Sequence, residues 1–566
     1  MNQLKKAAAL VLTFTMAAAM VPQSAQAAKK IKLEKKTVTV TVGKTVKLKL
    51  KNNKKKVKWT VISGKKNVIL SKKGKASVTI KGKKAGKAKV QAKIGKKKYV
   101  CKVTVKNPKK DQSSTTKGTA EPGSNTGTAA VTKPGSNVSQ STVTPTPTAK
   151  GPSEDSNDAK KLKEIITEQR TAGATVSEDL QSEQYTWQGN QLTSVHWSGT
   201  KLTGSIDFSS FTSLGVLDVS NCPGLEHLES GRKGGKTENN QLGILDVSNC
   251  SGLEYLYCKD NRISELDVTK CPGLKELSCG GNKLSKLDVS KCPSLESLDC
   301  SVNQISELDV SKCPSLKELV CYVNQLGILD MSKCPDLEYL LCSNNQISEI
   351  DVTKCPSLKS LNCDGNDRIS KLDVTKCPSL EYLRCIGNPI SEIDVTKCPD
   401  LKELCCGWND QISELDVSKC PNLECLYCDS YRISKLDVTK CPNLRELICS
   451  YTQISEIDVS KCPNLERLLC GRTQISELDV TKCPSLEELD CEFNQISKLD
   501  VTKCPVLREL VCGYTQISEL DVSKCPSLWR LECGQTQISE LDVTNCSELL
   551  YFWHDNTVTV IGYKRK

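Results

Sequence analysis

One tripeptide, Leu/Ile-Asp-Val/Met, returns sixteen times between residues 217 and 543, and twelve of the fifteen steps between copies are 21 residues long. A period in that range marks a solenoid, because a unit this short cannot bury its own apolar face and must stack on its neighbours. Two 22-residue steps come from single inserted aspartates, Asp367 and Asp410. The one long step comes from a polar, Gly-rich insertion around residues 231–239. Insertions confined to one point of the period are what loops on one face of a solenoid produce.

The full unit reads Leu-Asp-Val-Ser/Thr-Lys-Cys-Pro-x-Leu-x-x-Leu-x-Cys-x-x-Asn-x-Ile-Ser-x. In the coil 253–273, Leu253, Leu256, Cys258, Ile263, Leu266 and Val268 are expected to point inward, with Cys271 as a second small inward group. Leu256 and Cys258 alternate on a short strand that pairs with the strands of neighbouring coils. Asn261 falls where the chain leaves the strand, and its amide can bond backbone groups of the turn and of the next coil. The Asn column continues through 282, 303, 324, 345, 366, 388 and 409, then becomes Tyr431, Thr452, Thr473, Asn494, Thr515 and Thr536. A threonine keeps one bond where asparagine makes several, so the C-terminal coils are expected to be less tightly pinned. Pro272 and its equivalents restrict the far side of the coil without removing a needed donor.

Leu253-x-x-Leu256-x-Cys258-x-x-Asn261-x-Ile263 resembles the leucine-rich-repeat consensus with Cys in place of the third Leu. It is similar to the internalin-type surface repeats of Gram-positive bacteria, and more so to the "LDVSKC/NxxLxxLxCxxNQI" arrays of secreted bacterial proteins. The resemblance covers roughly Leu192 to the C-terminus. It implies a mainly β chain, a curved leucine-rich-repeat solenoid with a parallel β-sheet on the concave face, and ligand binding without naming a ligand.

Of the 33 cysteines, sixteen occupy the Lys/Asn-Cys-Pro/Ser register and fourteen the Leu-x-Cys register; Cys101, Cys405 and Cys425 fall outside both. Buried Cys behaves as a small apolar residue, so the periodic ones are expected to form two stacked thiol columns. Disulfides are the competing reading, since strands about 4.8 Å apart lie within bridging distance, but parallel in-register Cβ vectors do not naturally give the required torsion. Metal ligation is disfavoured by the spacing and by the near absence of His. Cys405, on the outward side of its strand beside an inward Cys406, is expected to be the reactive thiol.

Ahead of the array the chain changes character. Residues 1–27 read as a signal peptide: Lys5 and Lys6, an apolar run from Ala7 to Met20 too short to span a membrane, and Ala25-Gln26-Ala27 before the cleavage point. No later stretch is apolar enough to span a bilayer, so the chain is expected to be secreted or held non-covalently at the cell surface. Residues 28–106 alternate polar and apolar positions, as in Thr37-Val38-Thr39-Val40-Thr41-Val42, between Gly- and Asn-containing turns, the signature of a small antiparallel β-sandwich. Val42-Gly43, Trp59, Gly74, Ala85-Gly86-Lys87-Ala88 and Val103-Thr104-Val105 resemble the bacterial Ig-like domain (group 2) of surface adhesins. Residues 107–157, rich in Ser, Thr, Pro and Gly, read as a disordered tether. Residues 158–190 supply a helix, Ala159 to Arg170, capped by Asn157 or Asp158, and the N-terminal cap of the array; the array and its C-terminal cap run over 191–566.

Net charge divides along the same lines. Residues 29–110 hold 31 lysines and one acid, Glu34, whereas the chain as a whole is only +13. The repeat array is therefore strongly acidic. A +30 sandwich is expected to attract polyanions such as the teichoic acids of a cell wall; nucleic acid fits electrostatically but is a poor partner for an exported chain. A plain soluble stalk is the alternative.

Two columns flank the inward Leu of each strand and vary from coil to coil while the framework positions stay fixed. Tyr and Arg are favoured interface anchors, which selects Tyr255, Tyr257, Tyr339, Tyr382, Arg384 and Tyr427 as candidates for binding an extracellular protein or glycan; ordinary strand surface is the alternative for any one of them. Val320, Leu341, Ile448 and Leu469 are expected to add an exposed apolar strip. Trp408, Tyr451, Phe493 and Tyr514 form an edge column suited to stacking on sugars or to covering coil ends. The repeated Asp and Lys columns read as a solvated, mutually compensating face rather than a cation site. The only histidines, His196, His227 and His554, are scattered, no Gly-rich phosphate cradle occurs, and the carboxylates recur with the period, where a unique acid–base pair would break it. A non-catalytic binding protein needing no cofactor or metal is expected.

Overall fold

The computed structural model describes residues 32–33, 37–42, 45–51, 57–71, 77–94, 97–106, 152–231 and 240–563. The segment read as a signal peptide, residues 107–151 of the tether and most of the 231–239 insertion lie outside the described residues. The rest divides into two bodies.

The first body contains β1 (Lys32–Leu33), β2 (Thr37–Thr41), β3 (Thr45–Lys51), β4 (Lys58–Ser63), β5 (Val68–Ser71), β6 (Ser77–Gly82), β7 (Gly86–Ile94) and β8 (Lys97–Lys106). They form two four-stranded sheets, in the orders β1-β3-β6-β5 and β2-β8-β7-β4. Alternation in the sequence becomes alternation in space: Ala88, Val90, Ala92 and Ile94 of β7 are buried, while Lys87, Lys89 and Lys93 between them face out. Leu48, Leu50, Trp59, Val78, Ile80 and Val103 complete the core between the sheets. β2 runs parallel to β8, and apart from one isolated parallel bridge, Val42 to Gly82, the other described strand pairings in this body are antiparallel. Gly64 takes φ +70°, and a Cβ there would fall 2.3 Å from the Lys87 carbonyl oxygen, so only glycine serves at that approach.

The second body opens with α1 (Asn157–Thr171). Its cap is Ser156 rather than Asn157 or Asp158: the Ser156 hydroxyl accepts from the Ala159 amide at 3.3 Å, and Asp158 instead uses its carboxylate to accept from the Leu192 amide at 2.9 Å. Ala159, Leu162, Ile166 and Gln169 turn inward. Behind them Tyr185, Trp197, Phe208 and Phe211 make a chain of edge and tilted ring contacts that closes the end of the core.

From Thr203–Asp207 to Tyr551–Trp553 runs one seventeen-stranded sheet, all parallel. The register keeps every central leucine beside its equivalent, as in Leu256, Leu277 and Leu298. All seven inward residues expected in coil 253–273 are buried. Leucines, isoleucines, valines and cysteines from successive coils thus share one continuous core, to which each coil adds the same apolar set.

The thirty in-register cysteines lie in two buried columns, and no two of the 33 are bridged. One column has a task that small size alone does not explain. Cys271 Sγ donates to the Val247 carbonyl at 3.5 Å, Cys292 to Val268 at 3.6 Å and Cys313 to Val289 at 3.5 Å, and the pattern persists to Cys546 and Val522 at 3.7 Å. Each thiol fits beneath the preceding coil and satisfies a carbonyl there. Burial pushes these thiols up, Cys271 to about 12, so they remain protonated.

Each asparagine of the column donates to backbone carbonyls, and among these described asparagines only the Asn388 Oδ1 lacks a partner. Asn303 Nδ2 donates to the carbonyls of Cys279, Cys300 and Ser301 at 3.1 Å, and its Oδ1 accepts from the Leu284 amide at 2.9 Å. Thr452 and Thr515 keep a single side-chain bond each, to Cys449 at 2.9 Å and to Cys512 at 2.7 Å. Tyr431 does not join the column. It is exposed, and Ser430, one residue earlier, takes the inner place by donating to the Asn409 carbonyl at 3.2 Å. A phenol is too long for a slot that accepts a hydroxyl on a single carbon.

Candidate recognition surface

From Tyr255–Tyr257 to Arg530–Glu532 each strand of this sheet is three residues long, with its middle leucine inward and its flanking residues in two outer rows. The outward residues therefore form two rows along the sheet, with neighbours about 4.8 Å apart. The six candidates fall into two groups on these rows.

Tyr255 and Tyr257 share one strand, with His227 opposite on the preceding strand; the His227 ring lies 5.8 Å and 5.2 Å from the two tyrosine centroids. The Tyr257 hydroxyl donates to Glu276 at 2.5 Å, and burial together with that carboxylate pushes the phenol above its ordinary value. This pair is half-buried and committed to its neighbours.

The second group begins four strands on. Tyr339, Tyr382, Arg384 and Tyr427 come from strands within about 19 Å of one another. Tyr339 and Tyr382 are 38% and 39% exposed, the most open of the six. Arg384 lies between carboxylates, its Nε 3.1 Å from Asp364 and its Nη1 2.9 Å from Glu403. Burial raises the Asp364 carboxyl, and Arg384 opposes the rise. Tyr427 lies against Gly407, where a Cβ would meet its ring at 2.7 Å. Burial raises its phenol and lifts the neighbouring Asp429 carboxyl to about 7. One open phenol, Tyr382, thus shares its strand with a guanidinium held in a fork of acids, and a second, Tyr339, lies two strands away.

Two expectations for this surface need correction. Cys405 is buried, at 4% exposure: Arg384 Nη1 reaches its sulfur at 3.5 Å, and the thiol donates to Glu403 at 3.3 Å. Cys425, on the next strand, is the only cysteine that is not buried. The apolar strip is also less open than expected. Val320, Leu341 and Leu469 are half-buried, and Ile448 is buried at 8%, between Tyr427 and Leu469 on the flanking strands.

The edge column has a backbone cause. Trp408, Tyr451, Arg472, Phe493 and Tyr514 all adopt φ between +52° and +60° at the corner where the chain leaves the strand. Toward the C-terminus these side chains pack together: neighbouring Tyr431 meets Tyr451 edge-on at 6.1 Å, Arg472 lies over Phe493 at 3.9 Å, and Phe493 is face to face with Tyr514 at 4.1 Å. Phe493 and Tyr514 thus turn their faces to each other rather than to solvent. Trp408, 63% exposed, keeps an open face.

One column escaped the sequence reading. The first residue after the Leu that opens each Leu-x-x-Leu alternates in sign down the array: Glu254, Lys275, Glu296, Lys317, Glu338, Lys359, Glu381, Lys402, Glu424, Arg445, Glu466. Adjacent members pair, Lys275 with Glu254 at 2.7 Å, Lys317 with Glu296 at 2.7 Å, Lys359 with Glu338 at 2.6 Å and Lys402 with Glu381 at 2.6 Å. Reading the column with a 42-residue period would have found it. The aspartate column is bound locally: Asp267 accepts from the Thr269 amide and hydroxyl at 2.9 and 2.6 Å, which holds its carboxyl below the usual range. Among the described residues no group of three or more His, Cys, Asp or Glu is arranged to hold a metal ion, and no helix is long and apolar enough to cross a membrane.

A family model for leucine-rich repeats (two copies) matches residues 335–376, 442–480 and 463–503. Among solved structures, the chain is similar to the functional domain of InlJ from Listeria monocytogenes, described as including a cysteine ladder. The two are 33% identical with a TM-score of 0.50, over 53% of this chain and 66% of that one, just under two thirds of its length. The internalin InlF from Listeria monocytogenes is 20% identical, with a TM-score of 0.45 over 52% of this chain and 87% of that one. A leucine-rich-repeat protein from Leptospira interrogans is also 20% identical, with a TM-score of 0.44 over 65% and 90%. A search of curated proteins gives no match.

Proposed function

Taking the chain as a leucine-rich-repeat solenoid, a fold that serves protein interaction, we propose that it is an exported, non-catalytic binding protein whose strand face recognises a protein partner outside the cell. The observation that carries this reading is the group Tyr339, Tyr382, Arg384 and Tyr427. Open aromatic rings beside a fixed guanidinium are the chemistry of an interface centre, and here they occur on a sheet whose inward framework is the same in every coil.

A protein and glycan array probed with the full chain tests the reading, together with the double variant Tyr339→Ala, Tyr382→Ala. Loss of a protein ligand with the melting temperature unchanged supports it. Equal loss of binding and melting temperature, or no ligand at all, leaves a structural spacer. A glycan-binding accessory role is the second reading, favoured by the open Trp408 ring at the edge; selective capture of glycans that is lost in Trp408→Ala would replace the first. The basic sandwich is read as a stalk turned toward anionic cell-wall polymers.

A further inference from the structure

The lysines of the sandwich are not spread evenly over its two sheets. On the outer face of β2-β8-β7-β4, Lys58 of β4 stands opposite Lys93 of β7, and Lys89 of β7 stands opposite Lys102 of β8. All four are exposed, with Lys87 and Lys106 on the same face. On the other sheet the pairing differs: between β3 and β6, Lys47 faces Thr79, Lys49 faces Ser77 and Lys81 faces Thr45, so among the described residues its one lysine pair is Lys32 opposite Lys51 at the β1 edge. Like charges directly opposite on neighbouring strands repel and destabilise the sheet. Residues 29–110 hold 31 lysines against the single acid Glu34, so this body has almost no carboxylate of its own to relieve the face.

We infer that the outer face of β2-β8-β7-β4 binds a flexible phosphodiester polymer that lacks stacking bases. This rests on the stalk reading above and names its surface and its ligand chemistry. A row of charges at strand spacing, about 4.8 Å, holds a linear polyanion by neutralising several phosphates together and releasing their counter-ions. Three features select among polyanions. Residues 29–110 contain no arginine, so recognition is by point charges rather than planar forks. Side chains between the lysines include Thr39, Thr60, Gln91 and Thr104, whose hydroxyl and amide groups donate to phosphate oxygens. Its two exposed large apolar side chains are the aliphatic Ile62 and Val100, with Tyr99 packed against the core, so among the described residues nucleic-acid bases find no aromatic platform on this face.

The experiment uses the full chain, labelled poly(glycerol phosphate) of defined length, and fluorescence anisotropy across a salt series. Two triple variants each remove three charges: Lys89→Gln, Lys93→Gln, Lys102→Gln on the proposed face, and Lys47→Gln, Lys49→Gln, Lys81→Gln on the other. The first is expected to weaken binding about tenfold or more and to lower the slope of log K against log salt by about 2; the second changes affinity less than threefold. Because the first variant removes repulsion, its melting temperature should hold or rise, which separates lost contact from lost fold. Equal weakening by both variants overturns the assignment of the face while leaving a generally basic stalk. Absence of binding by the wild-type chain overturns the stalk reading itself, and tighter binding of single-stranded DNA of equal charge overturns the assigned ligand.

Discussion

Cys405 and Cys425 stand on adjacent strands, with Cys425 opposite Glu403, the acceptor of the Cys405 thiol, yet of the two only Cys425 reaches solvent. Among 33 cysteines it is the single one that is not buried, and buried protonated thiols are inert toward alkylation. Native protein treated with iodoacetamide should therefore take up one equivalent, mapped by mass spectrometry to Cys425, and Cys425→Ser should take up none. Several equivalents under native conditions would mean that the thiol columns open to solvent.

Asn324 Nδ2 donates to the Cys300 and Cys321 carbonyls at 3.0 and 3.1 Å, and its Oδ1 accepts from the Ile305 amide at 2.9 Å. Asn324→Thr keeps one of these bonds and strands buried partners in two coils, at a cost of about 2 kcal/mol. Urea denaturation should show this loss, with faster hydrogen exchange confined to coils near residue 324.

Val302 and Val323 sit in the left-handed region, with φ +50° and +53°. Other coils place glycine at this corner, as at Gly281, Gly365 and Gly387. A β-branched side chain there is strained by about 1–2 kcal/mol. Val302→Gly and Val323→Gly should each raise the unfolding free energy by about 0.5–1 kcal/mol after the extra chain entropy of glycine is deducted, read as a higher urea midpoint. A fall in the midpoint for both would contradict the strain.

Burial lifts the Asp429 carboxyl to about 7. Unfolded, the group ionises near pH 4; folded, it keeps its proton to about pH 7. Between these values the unfolded chain gains charge first, so this residue's contribution lowers stability as pH rises through that window, then levels off above pH 7. The urea midpoint of Asp429→Asn should fall less than that of the wild type between about pH 4.5 and about pH 7.5. Parallel curves would show that the carboxyl is ionised throughout.

Much of the array was legible because burial and period coincide: Leu253, Leu256 and Ile263 recur at positions the coil must turn inward. The tyrosines were legible as outward residues for the same reason, since strand alternation fixes which way Tyr339 and Tyr382 point. What escaped depended on neighbours in space. Cys405 occupies an outward position, but Arg384 reaches across from the preceding strand and covers it. Tyr431 keeps the count of the asparagine column, but side-chain length excludes it and Ser430 fills the slot. Ser156 outcompeted Asp158 as helix cap because Asp158 is drawn to the Leu192 amide, 34 residues away.

The alternating Glu and Lys column also limits how such a gene can change length. Deleting one 21-residue coil, that of Lys317 for instance, would bring Glu296 beside Glu338 and set like charges on adjacent coils; deleting two would restore the order. Each exposed pair contributes only about 0–1 kcal/mol, so a single-coil change weakens the seam rather than breaking it. Where the column slips phase, Glu466 is followed by Glu487, and each acid has a separate arginine, Arg445 at 2.7 Å and Arg508 at 3.9 Å. An array of this kind lengthens and shortens most smoothly in two-coil steps, and a slip of this sort is the scar an odd step leaves.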